Sequence, residues 1–213
     1  AVLLTKEEVV ISNIPEILPE RFVKMAELVQ ERYKLRIVKK TRRQINKERY
    51  GQKLFRLINE TYCDLYGFSL LSDKQIDQYV DQYLGLIDLK MVTFIEDENG
   101  ELIAAGITMP SLADALQKCG GNLFPIGWWY LVKNMYIKKP DTLDMLLVGI
   151  KPEYQSKGVN AMLFVDMFSN LTKLGFKYAE TSAELETNIR VQQLWNSFEK
   201  EQHKRRRVYV KEL

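Results

Sequence analysis

The spacing of apolar residues changes several times along the chain, and each change marks an element. Val9-Val10-Ile11 is a short apolar run that reads as a strand, and Pro15 and Pro19 punctuate the loop after it. Pro19-Glu20 opens a helix with Phe22, Met25, Ala26 and Val29 on its apolar face. Over residues 33–38 apolar and basic side chains alternate, as in a half-buried strand. Helical spacing returns through Ile45, Leu54, Leu57, Ile58, Tyr62 and Leu65, predicting one long helix over 42–66 that ends at Gly67. Ser72-Asp73 starts another helix, which runs to Leu84. Residues 91–96 and 102–108 then read as two strands, joined by a hairpin turn at Asp97-Glu98-Asn99-Gly100. A short helix follows over 112–118.

The continuous apolar run 143–150 predicts a buried strand, followed by a turn at Lys151-Pro152 and a helix over 159–174. A strand over 178–183, a helix over 188–198 and an alternating strand over 204–211 complete the chain. Helices, a hairpin, a strand-loop-helix-strand unit and a last strand make a mixed α+β sheet flanked by helices. The 213 residues suffice for one domain with a small appendage. The expected division is an N-terminal extension over 1–32, a strand plus a helix packed on a main domain over 33–213.

Composition narrows the chemistry. Hydrophobic residues are 46% and charged residues 28%, as in an ordinary soluble protein, and no run approaches the roughly 20 apolar residues that span a bilayer. The start lacks a signal-peptide pattern, so a cytoplasmic location is expected. Cys63 and Cys119 are far apart and His203 is the only histidine, sitting in a polar run. Zinc, disulfide and His–Asp chemistries therefore have no support, and no metal is expected. Net charge is only +3, yet nine residues between Arg32 and Arg49 are Lys or Arg, and Lys204-Arg205-Arg206-Arg207 is a second cluster. Such clusters are either polyanion sites or solvated faces. No nucleic-acid-binding motif accompanies them, so nucleic acid is not an expected partner.

The segment with the most specific chemistry is the turn between the strand at 143–150 and the next helix. A strand that passes through the polar turn Gln155-Ser156-Lys157-Gly158 into a helix at Val159 aims free backbone N–H groups at one point. With the helix dipole, that point favours phosphate or pyrophosphate. An ordinary packed strand-turn-helix, with Gly158 easing the approach of neighbours, is the plainer alternative.

Gln155-x-x-Gly158 resembles the acyl-CoA pyrophosphate loop of the GNAT superfamily of N-acyltransferases, whose pattern is Gln/Arg-x-x-Gly-x-Gly/Ala. This chain departs from it at Asn160, with the small Ala161 next. A side chain at 160 either crowds the phosphate or donates a hydrogen bond to it. The order of elements over residues 33–213 also resembles the GNAT fold, a mixed, largely antiparallel sheet with two splayed parallel strands. The resemblance implies acetyl-CoA or a longer acyl-CoA as co-substrate. Gln155, Ser156, Lys157, Gly158, Val159 and Asn160 would then hold its pyrophosphate, and the backbone near Leu147, Val148 and Ile150 its pantetheine arm. Asn188, in Glu186-Thr187-Asn188, takes the place of a family cofactor contact, although a helix N-cap explains it as well. Where the family carries a tyrosine acid for the leaving thiolate, this chain has Trp195, which cannot usefully transfer a proton.

Residues 149–155, 184–188 and 204–209, with the segment 57–68, are similar to the bacterial ceramide synthase-like branch of that fold. The branch resemblance implies an amine acceptor, a small molecule or a long-chain (sphingoid-type) lipid. Its members often carry sequence ahead of this region, consistent with an excised domain here. An amine arrives protonated, so a base is needed, and Glu180 and Glu184 are the candidates, with Glu186 third. The aromatic stretch 123–132, with Trp128, Trp129 and Tyr130, either lids the sheet or meets a membrane surface, with Lys133, Lys138 and Lys139 at lipid headgroups. A location peripheral to the inner face of the membrane would follow from the second. Because Asn160 and Trp195 are departures at functional positions, a catalytically degenerate ligand- or lipid-binding module is the rival to the enzyme.

Overall fold

The computed structural model describes residues 2–15, 17–137, 139–196 and 198–210. Lys138, Lys211 and the side chain of His203 lie outside the described part. In chain order the strands and helices are β1 (Val2–Asn13), α1 (Glu20–Tyr33), β2 (Arg36–Val38), α2 (Arg42–Lys47), α3 (Tyr50–Tyr62), α4 (Asp73–Tyr83), β3 (Val92–Glu96) and β4 (Leu102–Pro110). There follow α5 (Ala113–Lys118), α6 (Gly127–Val132), β5 (Thr142–Ile150), α7 (Val159–Lys173), β6 (Tyr178–Thr181), β7 (Glu184–Leu185), α8 (Ile189–Trp195) and β8 (Lys200–Val210). The chain divides into two units, one of Ala1–Pro15, Thr108–Leu146 and Thr172–Leu213, the other of Glu16–Ile107 and Leu147–Leu171. Strands β4 and β5 run through both.

In the second unit β2, β3 and β4 are consecutive antiparallel neighbours. The β3–β4 turn forms because the Asp97 carboxylate accepts from the N–H groups of Asn99 and Glu101 (2.9 and 2.8 Å) while Gly100 takes φ +78°. A core of Ile45, Tyr50, Leu54, Leu57, Ile58, Val92, Phe94, Leu102, Ala105 and Ile107 lies between this sheet and helices α2 and α3. Helix α7 is buried on most of its circumference, through Val159, Ala161, Met162, Leu163, Phe164, Met167, Phe168 and Leu171. That explains why its sequence is apolar beyond one stripe.

Two boundaries differ from the sequence expectation. The single helix expected over 42–66 is two helices, because Arg49 adopts a left-handed conformation (φ 54°) between α2 and α3. The break allows Tyr50 to turn fully into the core, where its ring meets Phe94 edge-on at 5.1 Å. The strand expected over 33–38 starts only at Arg36, since Tyr33 completes α1 and Lys34 caps it in the left-handed region.

The basic cluster around residues 34–49 is largely occupied by structural partners. Arg36 and Lys40 flank the buried carboxylate of Glu96 at 3.2 and 3.3 Å, and Lys40 also reaches Glu48 at 2.8 Å. Burial works against the Lys40 charge, but the hydrogen bonds to Glu48 and Glu96 outweigh it and raise its pKa. Lys34 pairs with Glu98, Lys39 with Asp166 and Arg49 with Asp77. Arg42 donates to the carbonyls of Leu84 and Ile87.

In the first unit β5 and β6 are parallel, and β1 lies antiparallel to β6, β7 and β8. The order is β5-β6-β1-β7 with β8 on β1. The parallel pairing runs from Thr142↔Tyr178 to Met145↔Thr181 and ends there, short of the last residues of β5. Leu143 and Ala179 in this paired stretch are fully buried. Among the described residues no helix is long and apolar enough to cross a membrane.

Candidate functional site

In the second unit β5 leads into a loop braced at both ends. Lys151 N–H donates to Ile103 O (2.9 Å), and the Lys151 ammonium meets Glu101 and lies 3.8 Å from Glu60. Burial opposes that charge, yet the carboxylates hold the Lys151 pKa above the ordinary lysine value. A single 3-10 turn, Pro152–Tyr154, follows. Gln155 turns its side chain back, donating from Nε2 to Ile150 O at 3.1 Å.

Ser156 (φ 61°) and Gly158 (φ 83°) are both left-handed, so the backbone curls about Lys157 and delivers the chain into α7 at Val159. Such alternation makes the concave turn whose N–H groups receive anions, and the first-turn N–H groups of a helix have no intrahelical acceptor. Gly158 is needed for a second reason. A Cβ there would lie 3.1 Å from both Met25 Sδ and Val29 Cγ2, because α1 packs directly against the loop. Lys157 holds its ammonium over the rings of Tyr33 and Tyr154 (5.2 and 5.0 Å), which meet edge-on at 6.3 Å. Beside them a groove of about 580 Å³ is lined by Met25, Leu28, Val29, Glu31, Arg32, Tyr33 and Lys157. Asn160 is half-buried in the first turn of α7.

The backbone acceptors of the end of β5 are held by α3. Tyr62 OH donates to Val148 O at 3.0 Å, and Thr61 Oγ1 to Ile150 O at 3.4 Å. The Leu147 side chain packs against the core beneath α3.

The carboxylates belong to the first unit. Glu180 on β6 stands in register with Asp144 on β5, so the two side chains share one face. Glu180 Oε1 accepts from Lys204 Nζ at 2.8 Å. Burial pushes the Asp144 pKa up, the charge of Glu180 adds to that, and hydrogen bonds from the Ser111 hydroxyl and Leu112 N–H oppose it. Where the pairing ends, Ser182 donates from N–H and Oγ to Met145 O (3.2 and 2.9 Å). Glu184 lies beyond, on β7, and accepts from Trp195 Nε1 at 2.7 Å. Trp195 is buried, so its only donor group is directed at that carboxylate. Glu186 is exposed. Asn188 occupies the N-cap position of α8 without a side-chain cap hydrogen bond.

The structure thus gathers the loop residues Gln155–Asn160 at one place and puts Glu180 beside a lysine. It also adds Asp144, Tyr62, Tyr33 and Tyr154, which sequence reasoning did not select. Asp144 had a visible signal, a carboxylate inside an otherwise apolar strand, and Tyr154 adjoins Gln155, whereas Tyr33 and Tyr62 are remote from the loop in sequence. Among the described residues no group of three or more His, Cys, Asp or Glu could hold a metal ion.

No family model matches the chain. It is similar to the bacterial ceramide synthase of Caulobacter vibrioides, 26% identical over 178 residues that make up 80% of this chain and 46% of that protein. It is also similar to Protein YghO of Escherichia coli, 25% identical over 182 residues, 82% of this chain and 46% of that one. The chain therefore spans about half the length of these curated relatives. Among solved structures it resembles the GCN5-related glucosamine N-acetyltransferase region of a fungal multi-domain GH3 β-N-acetylglucosaminidase. The TM-score is 0.58 at 12% identity, covering 96% of this chain and 21% of that one. It also resembles a GCN5-related N-acetyltransferase of Sphaerobacter thermophilus, with a TM-score of 0.50 at 8% identity, covering 88% and 46%. The fold is that of the GCN5-related N-acetyltransferases, and the sequence is ceramide-synthase-like.

Proposed function

We propose that this GNAT-fold chain is an N-acyltransferase that moves an acyl group from a CoA thioester to an amine, with a long-chain amine as acceptor. The observation that carries the reading is the loop Gln155–Asn160. Its two left-handed residues and the start of α7 present backbone donors together, as binding of a pyrophosphate requires. CoA supplies an activated acyl group. The chain supplies its positioning, and alignment of two reactants is worth on the order of 7–11 kcal/mol of barrier at best.

The amine nitrogen attacks the thioester carbonyl, a C–N bond forms, the C–S bond breaks, and the sulfur leaves as CoA thiolate. The second N–H proton, shed as the amide forms, passes to the thiolate, but the incoming ammonium must lose its first proton before the nitrogen can attack. Asp144, with its raised pKa, and Glu180 beside it are the groups in the first unit suited to take that proton. A long-chain acceptor is supported by the ceramide synthase relative, and by Leu146 and Tyr178, exposed apolar side chains two residues from Asp144 and Glu180 on the same face.

A catalytically degenerate binding module is favoured by one contact, that of Trp195 with Glu184, which engages both the residue in the family's acid position and one candidate base. The deciding experiment titrates the chain calorimetrically with acetyl-CoA and palmitoyl-CoA below the micelle concentration, then follows thiol release on adding sphinganine. Saturable binding with thiol release establishes the enzyme. Binding without release establishes the module, and no binding refutes both.

A further inference from the structure

Between Asp114 and Asp141 the chain has no acidic residue and four lysines, Lys118, Lys133, Lys138 and Lys139. In the first unit this stretch forms α5, a loop, α6 and a π-helical turn, Lys133–Ile137. Its large apolar side chains are turned outward. Phe124 is 84% exposed, Ile126 62% and Ile137 63%, while Trp128, Trp129 and Tyr130 are 39–48% exposed. Single exposed apolar residues are ordinary, but a contiguous aromatic patch marks an interaction surface.

The backbone enforces this display. At Gly127 a Cβ would fall 1.8 Å from Asn122 O, so only glycine lets α6 begin against the preceding turn. Residues 123–126 are thereby held in a tight loop. The support is anchored as well, since Asn134 Nδ2 donates to Ser111 O at 2.6 Å and Ser111 N–H to Thr142 O at 3.0 Å. Trp128 Nε1 donates to Pro125 O at 3.0 Å, so that ring enters an apolar medium without an unpaired donor.

We infer that residues 116–137, with Lys139, form a membrane-docking surface for an anionic bilayer. The apolar tip at Phe124, Ile126 and the tryptophans enters the interface, and the exposed Lys118, Lys133 and Lys139 meet headgroup phosphates. Two observations favour lipid over a protein partner. Trp and Tyr beside solvated lysines match the bilayer interface, whereas lysine is depleted in protein–protein interfaces. The absence of any acid across the stretch removes what an anionic surface would repel.

Flotation of the full chain with phosphatidylcholine vesicles carrying 30 mol% phosphatidylglycerol tests this, with pure phosphatidylcholine as the control. Binding is expected to need the anionic lipid, to weaken with salt, and to protect the exposed tryptophans from aqueous quenchers while exposing them to brominated acyl chains. Phe124→Ser with Ile126→Ser should lower partitioning at least tenfold, and Lys133→Gln with Lys139→Gln about fivefold per lysine removed. Both pairs are exposed, and unchanged circular dichroism would show that the fold persists. Failure to bind anionic vesicles overturns the inference, as does unaltered binding by the Phe124/Ile126 variant. Self-association in sedimentation that the same variant abolishes, without vesicle binding, makes the face a protein interface instead.

Discussion

Tyr62→Phe tests whether the end of β5 is a ligand-binding strand held closed by α3. The substitution keeps the ring, and with it the edge-on contact to Phe68 at 5.9 Å, and removes only the hydroxyl that donates to Val148 O at 3.0 Å. A neutral, half-buried hydrogen bond of this geometry contributes about 1 kcal/mol net. For a chain of this length that loss lowers Tm by about 2–4 °C. If the Val148 carbonyl is also a pantetheine acceptor, the ligand no longer competes with the tyrosine. Affinity for acetyl-CoA then rises by up to about fivefold, the equivalent of the same 1 kcal/mol. Thermal denaturation and calorimetric titration of one preparation read the two effects, which carry opposite signs. A lower Tm with unchanged or weaker acetyl-CoA binding would refute the assignment of Val148 to the ligand path and leave Tyr62 a purely structural tie.

Two further outcomes are expected. Gly158→Ala should cost about 1–2 kcal/mol from the left-handed backbone alone, with added crowding at Met25 and Val29; adding Met25→Ala should return only the crowding part. A double-mutant cycle by urea denaturation separates the two, and full rescue would contradict the backbone argument. Asp144 has a raised pKa, so its favourable contribution is complete below the ordinary Asp range and is lost as pH rises through the folded-state value. Asp144→Asn should therefore raise Tm at pH 7–8 and lose that advantage toward pH 4. It should also slow thiol release while leaving acyl-CoA binding intact, and a pH-independent Tm difference would discount the buried charge.

The elements were legible where local chemistry sets them. The hairpin at Asp97–Gly100, the Ser72–Gln75 capping box that starts α4, and the glycine that ends α7 are each specified by a few neighbouring residues. The strand-loop-helix at 143–174 stood out because an apolar run, a polar turn and a helical stripe follow one another without a gap. Helix 42–66 misled because no proline or turn residue marks the break; Ile45 and Leu54 would lie on opposite faces of one continuous helix, and the left-handed Arg49 lets both, with Tyr50, enter one core.

The site shows the same division. Sequence by itself determined the turn that joins β5 to α7, since the strand end, its glycine and the helix start are nearly consecutive residues, and it determined the acid-free aromatic stretch, since that is composition. Tertiary structure alone decided what surrounds them. Met25 and Val29 cover Gly158, Tyr62 and Thr61 hold the carbonyls of β5, and strand register sets Glu180 beside Asp144. These partners are 36 or more positions apart in every case. Periodicity reports which face a side chain takes, but only long-range packing fixes what that face meets.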